Sequence, residues 1–176
     1  MISDAIQFAV EAHAGQQYSG QPYTYHLARV AGLVQDYAEE LTGAVSNEKM
    51  IAAGWLHDVL EDTTTTVQEL RKRFGHDVTA LVVAVTDDPG ETRAERHATT
   101  YPRIRQAGHQ AVGLKLCDRL ANLKGCVALN NNRLLRMYLS EHLGFRGVLK
   151  RPDELPGLWN TIEQVVSHYS KVAGSF

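Results

Sequence analysis

Cysteine is scarce in this sequence: Cys117 and Cys126 are the only two in 176 residues. They stand nine apart with no further ligands at tight spacing, which argues against a structural zinc site and for free, buried thiols in a cytosolic protein. Excess basic charge is also missing. Eighteen Lys and Arg face twenty Asp and Glu, a net charge of −2. That removes any bulk attraction to nucleic acid, so no nucleic-acid polymer is expected as a partner. No apolar run approaches the length of a membrane span, so no membrane is expected either. The opening Met1-Ile2-Ser3-Asp4-Ala5-Ile6 has neither the basic start nor the apolar core of a signal peptide, and a cytoplasmic location follows as the expectation. There is no internal repeat, no low-complexity tract and no strand-like alternation. None of these features bears on oligomeric state.

What is present is a chain of ordinary globular composition, 44% hydrophobic and 22% charged, long enough for one real core. Nearly every segment has helical periodicity. Helices are expected over residues 3–14, 23–41, about 47–62, 66–75, 76–86, 91–107 (bent at Pro102), 109–124, 130–143 and about 155–172. A polar loop is expected at 16–22 and a turn at 87–90. The predicted class is all-α: a single domain over 1–176, with its motifs between about 3 and 145.

The stretch that organises the rest is Ile51-Ala-Ala-Gly-Trp-Leu-His-Asp-Val-Leu-Glu-Asp62. Its apolar residues read as a helix buried on most sides. Into it are set His57, Asp58, Glu61 and Asp62. At about 100° per residue these four share an arc of roughly 140°. Gly54 falls in the same arc, where a side chain would crowd anything bound. Three carboxylates and a histidine cannot be buried together unpaired. A divalent cation answers that, and His-Asp pairs suit Mn, Fe or Zn. The alternative is a helix end whose acids face water. A second polar face lies on 112–124, where Lys115, Asp118, Arg119 and Asn122 fall within about 100°. Taken alone, that helix reads better as an exposed amphipathic face.

Taken together, His26, His57-Asp58 and Asp118 have the H…HD…D order of the HD metal-dependent phosphohydrolase superfamily. Phe8-Ala-Val-Glu-Ala-His-Ala-Gly-Gln16, then Gly20-Gln-Pro-Tyr23 and His26, resembles the opening of the alarmone hydrolase domain of RelA/SpoT homologues. Leu56-His-Asp-Val-Leu-Glu-Asp-Thr63 resembles that family's HD block. Leu114-Lys-Leu-Cys-Asp-Arg-Leu-Ala-Asn-Leu123 resembles its third block. Val85-Thr-Asp-Asp88 and Glu95-Arg96 are similar to the stand-alone members, small alarmone hydrolases of the Mesh1 type. The resemblance implies an HD-domain helical bundle that hydrolyses the 3′-diphosphate of guanosine tetra- or pentaphosphate, (p)ppGpp, to GDP or GTP and pyrophosphate. It implies one divalent metal on His26, His57, Asp58 and Asp118. Manganese is usual in bacterial members, with zinc or iron as alternatives. It also implies that Glu61 and Asp62 serve the attacking water and that Asn122 contacts the nucleotide.

Simple chemistry agrees with those roles. A metal acidifies water and polarises a phosphoryl oxygen. Carboxylates one turn beyond its ligands can act as base and then acid. Arg96 and Lys115 are the preferred phosphate binders, with Arg119 a further candidate; Arg93, Arg103 and Arg105 read as solvated charge. Tyr138 is placed to stack on a base or ribose, or in the core. One departure stands out: the family usually has a basic pair where this chain has Tyr18 and Ser19. Tyr18 could still stack on a base. The departure leaves one rival open, a phosphohydrolase of (p)ppApp or of the 2′-phosphate of NADPH; a second rival, a nucleotide-binding sensor without turnover, is opposed by the complete ligand set and Glu61-Asp62. His13 reads as structural, and His76, His97, His109, His142 and His168 as surface or satisfied core residues.

Overall fold

Thr66 and Thr92 show how local signals set the helix boundaries. In the computed structural model, which describes residues 1–173, each threonine side chain accepts from the backbone N–H three residues on, and Thr92 closes a full capping box with Glu95. The helices are α1 (Ile2–Ala12), α2 (Thr24–Asp36), α3 (Asn47–Leu56), α4 (Val59–Asp62), α5 (Val67–Val85), α6 (Arg93–Ala107), α7 (His109–Ala128), α8 (Asn132–Leu149) and α9 (Pro156–Ala173). The expected stop at Gly75 appears inside α5 as a kink, with φ +81. Only glycine takes that conformation without strain.

Helix α7 runs through the middle, buried along most of its length, and touches α2, α5, α6, α8 and α9. Helix α3 packs on α1, α2 and α5. One contiguous apolar core joins them, from Phe8 and Leu27 to Phe145 and Trp159. Among the described residues no helix is long and apolar enough to cross a membrane.

Several expectations need correction. The helix expected through 62 breaks at His57 and Asp58. The His57 Nδ1–H donates to the Gly54 carbonyl at 2.9 Å, the acceptor that a continuing helix would offer to the Asp58 N–H. Gly54 does not clear space for a ligand. A Cβ there would stand 3.0 Å from the Ala31 Cα, so this glycine lets α2 and α3 approach. The loop at 16–22 contains a two-stranded hairpin, β1 (Gln17–Tyr18) and β2 (Gln21–Pro22), with Gln17 opposite Pro22. Positive φ at Ser19 and Gly20 makes its turn, as two-residue hairpins require. The second helix ends at Asp36, not near 41. Helix α8 passes through Gly144 and Gly147 to Leu149, held by Phe145 and Leu149 in the core.

Candidate active site

The break after α3 turns His57 and Asp58 toward the first turn of α2 and the middle of α7. His26 Nε2 lies 3.2 Å from His57 Nε2. Asp58 Oδ2 is 3.1 Å from His57 Nε2 and 3.5 Å from His26 Nε2. Asp118 Oδ1 is 3.4 Å from His26 Nε2 and 3.8 Å from that of His57. His26, His57 and Asp58 offer ligand atoms all within 4.8 Å of one another. All four groups are largely shielded from solvent.

These residues fit a divalent cation. The His57 Nδ1–H is committed to a carbonyl, so once the ring is neutral its Nε2 lone pair is the one turned on His26. This is how a metal-ligating imidazole is oriented from behind. Among the described residues, the buried Nδ1 of His26 has no hydrogen-bond partner. Burial would by itself lower both imidazoles and raise both carboxyls. Mutual pairing, and for Asp118 first of all the Lys115 ammonium, outweighs it, holding His26 and His57 above the usual imidazole range and Asp58 and Asp118 below the usual carboxylate range.

The two acids of α4 flank this group. Asp62 Oδ2 and Asp58 Oδ2 lie 2.6 and 2.8 Å from a single hydroxyl, that of Tyr23. That hydroxyl has one proton to give, so it holds the two carboxylates together without satisfying both. Tyr23 is in turn stacked on His13, ring centroids 4.6 Å apart and nearly parallel. Glu61 accepts from the Asp87 N–H at 2.7 Å. Protein packed around its carboxyl pushes its pKa up to about 7, against the opposing pull of Lys115. The Lys115 ammonium sits 3.1 Å from Asp118 Oδ2. Despite burial, the surrounding carboxylates keep it protonated.

A cavity of about 620 Å³ opens over these groups and takes in Tyr18, Arg96, Lys115, Asn122 and Tyr138. Its far wall carries cations. Arg96 lies 3.6 Å from Asp87 and bonds the Gly90 carbonyl, with a third of its side chain exposed. Arg93, expected as solvated charge, also lines the cavity, bonds Glu141 and lies over the Tyr138 ring. Arg119 is 4% exposed. Its guanidinium is held between Tyr138 and Phe145, 4.8 and 4.4 Å from the ring centroids, and bonds Tyr101 and Glu141. The polar face of α7 is therefore buried, contrary to the exposed amphipathic reading. Arg103 and Arg105 lie elsewhere, on Asp88 and Glu154.

Tyr23, Asp87 and His97 also line the cavity and were not singled out by sequence. Tyr23 sits in the Gly20-Gln-Pro-Tyr23 motif and could have been found by asking what its hydroxyl serves. Asp87 stands in the Val85-Thr-Asp-Asp88 motif but reads there as part of a turn. His97, read as surface or satisfied core, is one-tenth exposed and is drawn down to about 4 by burial and by Arg93.

Residues 5–139 match the HD domain family. The chain is 35% identical over 127 residues to guanosine-3′,5′-bis(diphosphate) 3′-pyrophosphohydrolase MESH1 of Danio rerio, covering 70% of this chain and 68% of that protein. It is 31% identical over 182 residues to the Homo sapiens MESH1 of the same name, covering 98% and 94%. The solved structure of a metazoan ortholog of SpoT superposes with a TM-score of 0.81 at 23% identity, over 96% of this chain and 94% of that one, and so shares the fold. The chain belongs to the HD domain family, alongside the MESH1 proteins.

Proposed function

We propose that this protein is a metal-dependent 3′-pyrophosphohydrolase of guanosine 3′,5′-bis(diphosphate), acting on the free nucleotide in the cytoplasm. One observation carries the reading. A cation-fitting His/Asp group, a carboxyl with its pKa near 7 and a row of cations line one cavity, of a size that suits a nucleotide. The relatives named for this reaction supply the substrate.

His26, His57, Asp58 and Asp118 would hold the metal, and we propose manganese, which mixed imidazole and carboxylate donors suit. When bound, a divalent cation supplies Lewis acidity toward water and a phosphoryl oxygen. Glu61 takes a proton from the attacking water. The water oxygen bonds to the phosphorus next to the ribose 3′ oxygen, and the bond from that phosphorus to the 3′ oxygen breaks. The proton returns to the 3′ oxygen through Glu61 or Asp62, leaving GDP and pyrophosphate. A carboxyl poised near 7 suits both steps. Arg96, Arg93 and Lys115 offset the diphosphate charge. Tyr138 faces the base or ribose, and Arg119 keeps that ring in place.

The test is pyrophosphate release by chelator-stripped protein from ppGpp and ppApp, and orthophosphate release from NADPH, with and without Mn²⁺. We expect Mn²⁺-dependent release from ppGpp that Asp118→Ala abolishes. Full activity in Asp118→Ala overturns the metal reading, and preferred turnover of ppApp or NADPH overturns the substrate.

A further inference from the structure

Tyr18 lines the cavity, but its ring and hydroxyl are both engaged within the protein. The ring lies on the His26 imidazole, with centroids 5.0 Å apart and planes 14° from parallel. Its hydroxyl is 3.0 Å from Asn122 Oδ1, and Asn122 Nδ2 is 2.6 Å from Asp118 Oδ1. The direction of each bond is forced. An ionised carboxylate only accepts, so the Asn122 amide nitrogen must face Asp118. That turns the amide oxygen to Tyr18, whose hydroxyl must then donate. One side chain thus packs on one proposed metal ligand and, through Asn122, fixes the rotamer of another.

Two further features hold Tyr18 there. Asn131 donates to the Ser19 hydroxyl at 2.8 Å, tying the hairpin turn to the start of α8. Gly125 on α7 leaves the room the ring needs: a Cβ there would stand 3.1 Å from the Tyr18 hydroxyl oxygen.

We propose that Tyr18 is a positioning residue for the metal, acting through His26 and the Asn122–Asp118 pair, and not a contact to the nucleotide base. The inference rests on the metal reading above. Asn122 is the relay of this unit, because both ends of its amide are taken within the protein. Outer partners of metal ligands that hold them in place typically contribute about 10–100-fold in metal affinity.

The experiment is calorimetric titration of the chelator-stripped protein with Mn²⁺, together with kcat and KM for ppGpp at saturating Mn²⁺. Tyr18→Phe keeps the ring and removes the donor. We expect about 10-fold or more weaker Mn²⁺ binding, with KM within about twofold of the parent. Gly125→Ala favours the helix and pushes on the hydroxyl, so it should weaken Mn²⁺ binding in the same direction. Unchanged Mn²⁺ affinity in both variants, with or without a raised KM, overturns the inference and leaves the metal site standing. Failure of the parent protein to bind any divalent cation overturns the metal reading itself, and this inference with it.

Discussion

Glu61 combines two properties that pull stability and activity apart. Burial lifts its carboxyl from the ordinary 4.5 to about 7, and Lys115 only partly offsets that. The folded protein therefore holds a proton that the unfolded chain has released across this window. Stability from this site falls as pH rises from about 4.5 through about 7. The side chain keeps more than a third of its surface in water, so screening limits the effect to about 1 kcal/mol. Glu61→Gln should leave thermal stability equal or slightly higher above pH 7, while kcat falls about 10²- to 10⁴-fold. In the parent enzyme the base must be ionised, so activity should climb with pH along an acid limb. A bound cation adds to the pull of Lys115, which places that limb at or below pH 7. Scanning calorimetry and a pH–rate profile of both proteins check this; a limb unchanged in residual Glu61→Gln activity would remove Glu61 as the base. Arg119 makes the opposite case, a charge in the cavity wall that serves the fold. Arg119→Ala would leave Glu141 without one of its two arginines and open a void between the Tyr138 and Phe145 rings. Urea denaturation should show a loss of about 3 kcal/mol or more. Arg119→Lys should not restore it, because an ammonium cannot lie flat between two rings.

The elements position the site through close approach and through one interruption. Gly54 allows α2 and α3 to come close enough for His26 and His57 to face each other. In Gly54→Ala the added methyl meets the Ala31 backbone, which cannot swing aside as a side chain could. The variant should lose about 1–3 kcal/mol, despite the helix preference of alanine, and its Mn²⁺ affinity should fall with it; denaturation and metal titration measure the two. The same pair shows what periodicity could and could not reveal. The apolar spacing of 47–62 located the helix and its polar residues. It could not show that His57 would capture the Gly54 carbonyl and break the ladder, because that depends on the rotamer of one ring. Burial of the α7 polar face was likewise hidden. Lys115, Asp118, Arg119 and Asn122 have the pattern of a solvated stripe, and it takes partners from the hairpin, α2, α6 and α8 to put them inside. The hairpin that carries Tyr18 is two residues a side, too short for alternation to register. The three motif blocks in order, by contrast, pointed to His26, His57, Asp58 and Asp118 and to the acids Glu61 and Asp62, which the fold does bring close together, because those residues are few and chemically distinctive.

At the scale of the whole molecule, the cluster joins folding, metal and pH. It brings two imidazoles and two carboxylates from α2, α7 and the α3–α4 break to one point of the core, so a cation there ties three parts of the bundle together. Binding to the folded form alone stabilises by about 2.7 kcal/mol at a hundred times Kd. For a chain of this size, saturating Mn²⁺ should raise Tm by about 5–10 °C, and a chelator should reverse it. Protons compete for the same nitrogens. With no cation bound, His26 and His57 are both held above the usual imidazole range by Asp58 and Asp118. Their pairing stabilises the apo fold fully below pH 6.5 and fades as pH rises through the raised values. The carboxylate side works in the other direction, present above the usual carboxylate range and lost as acid protonates Asp58 and Asp118. A cation needs the imidazole lone pairs, and the two Nε2 atoms stand only 3.2 Å apart. Binding near pH 7 must therefore expel a proton. Titration calorimetry in buffers of different ionisation enthalpy should show at least about one proton released per Mn²⁺, with affinity falling steadily below pH 7. A binding enthalpy independent of buffer would mean that the imidazoles are already neutral in the metal-free protein, and that the carboxylates do not hold the cluster protonated.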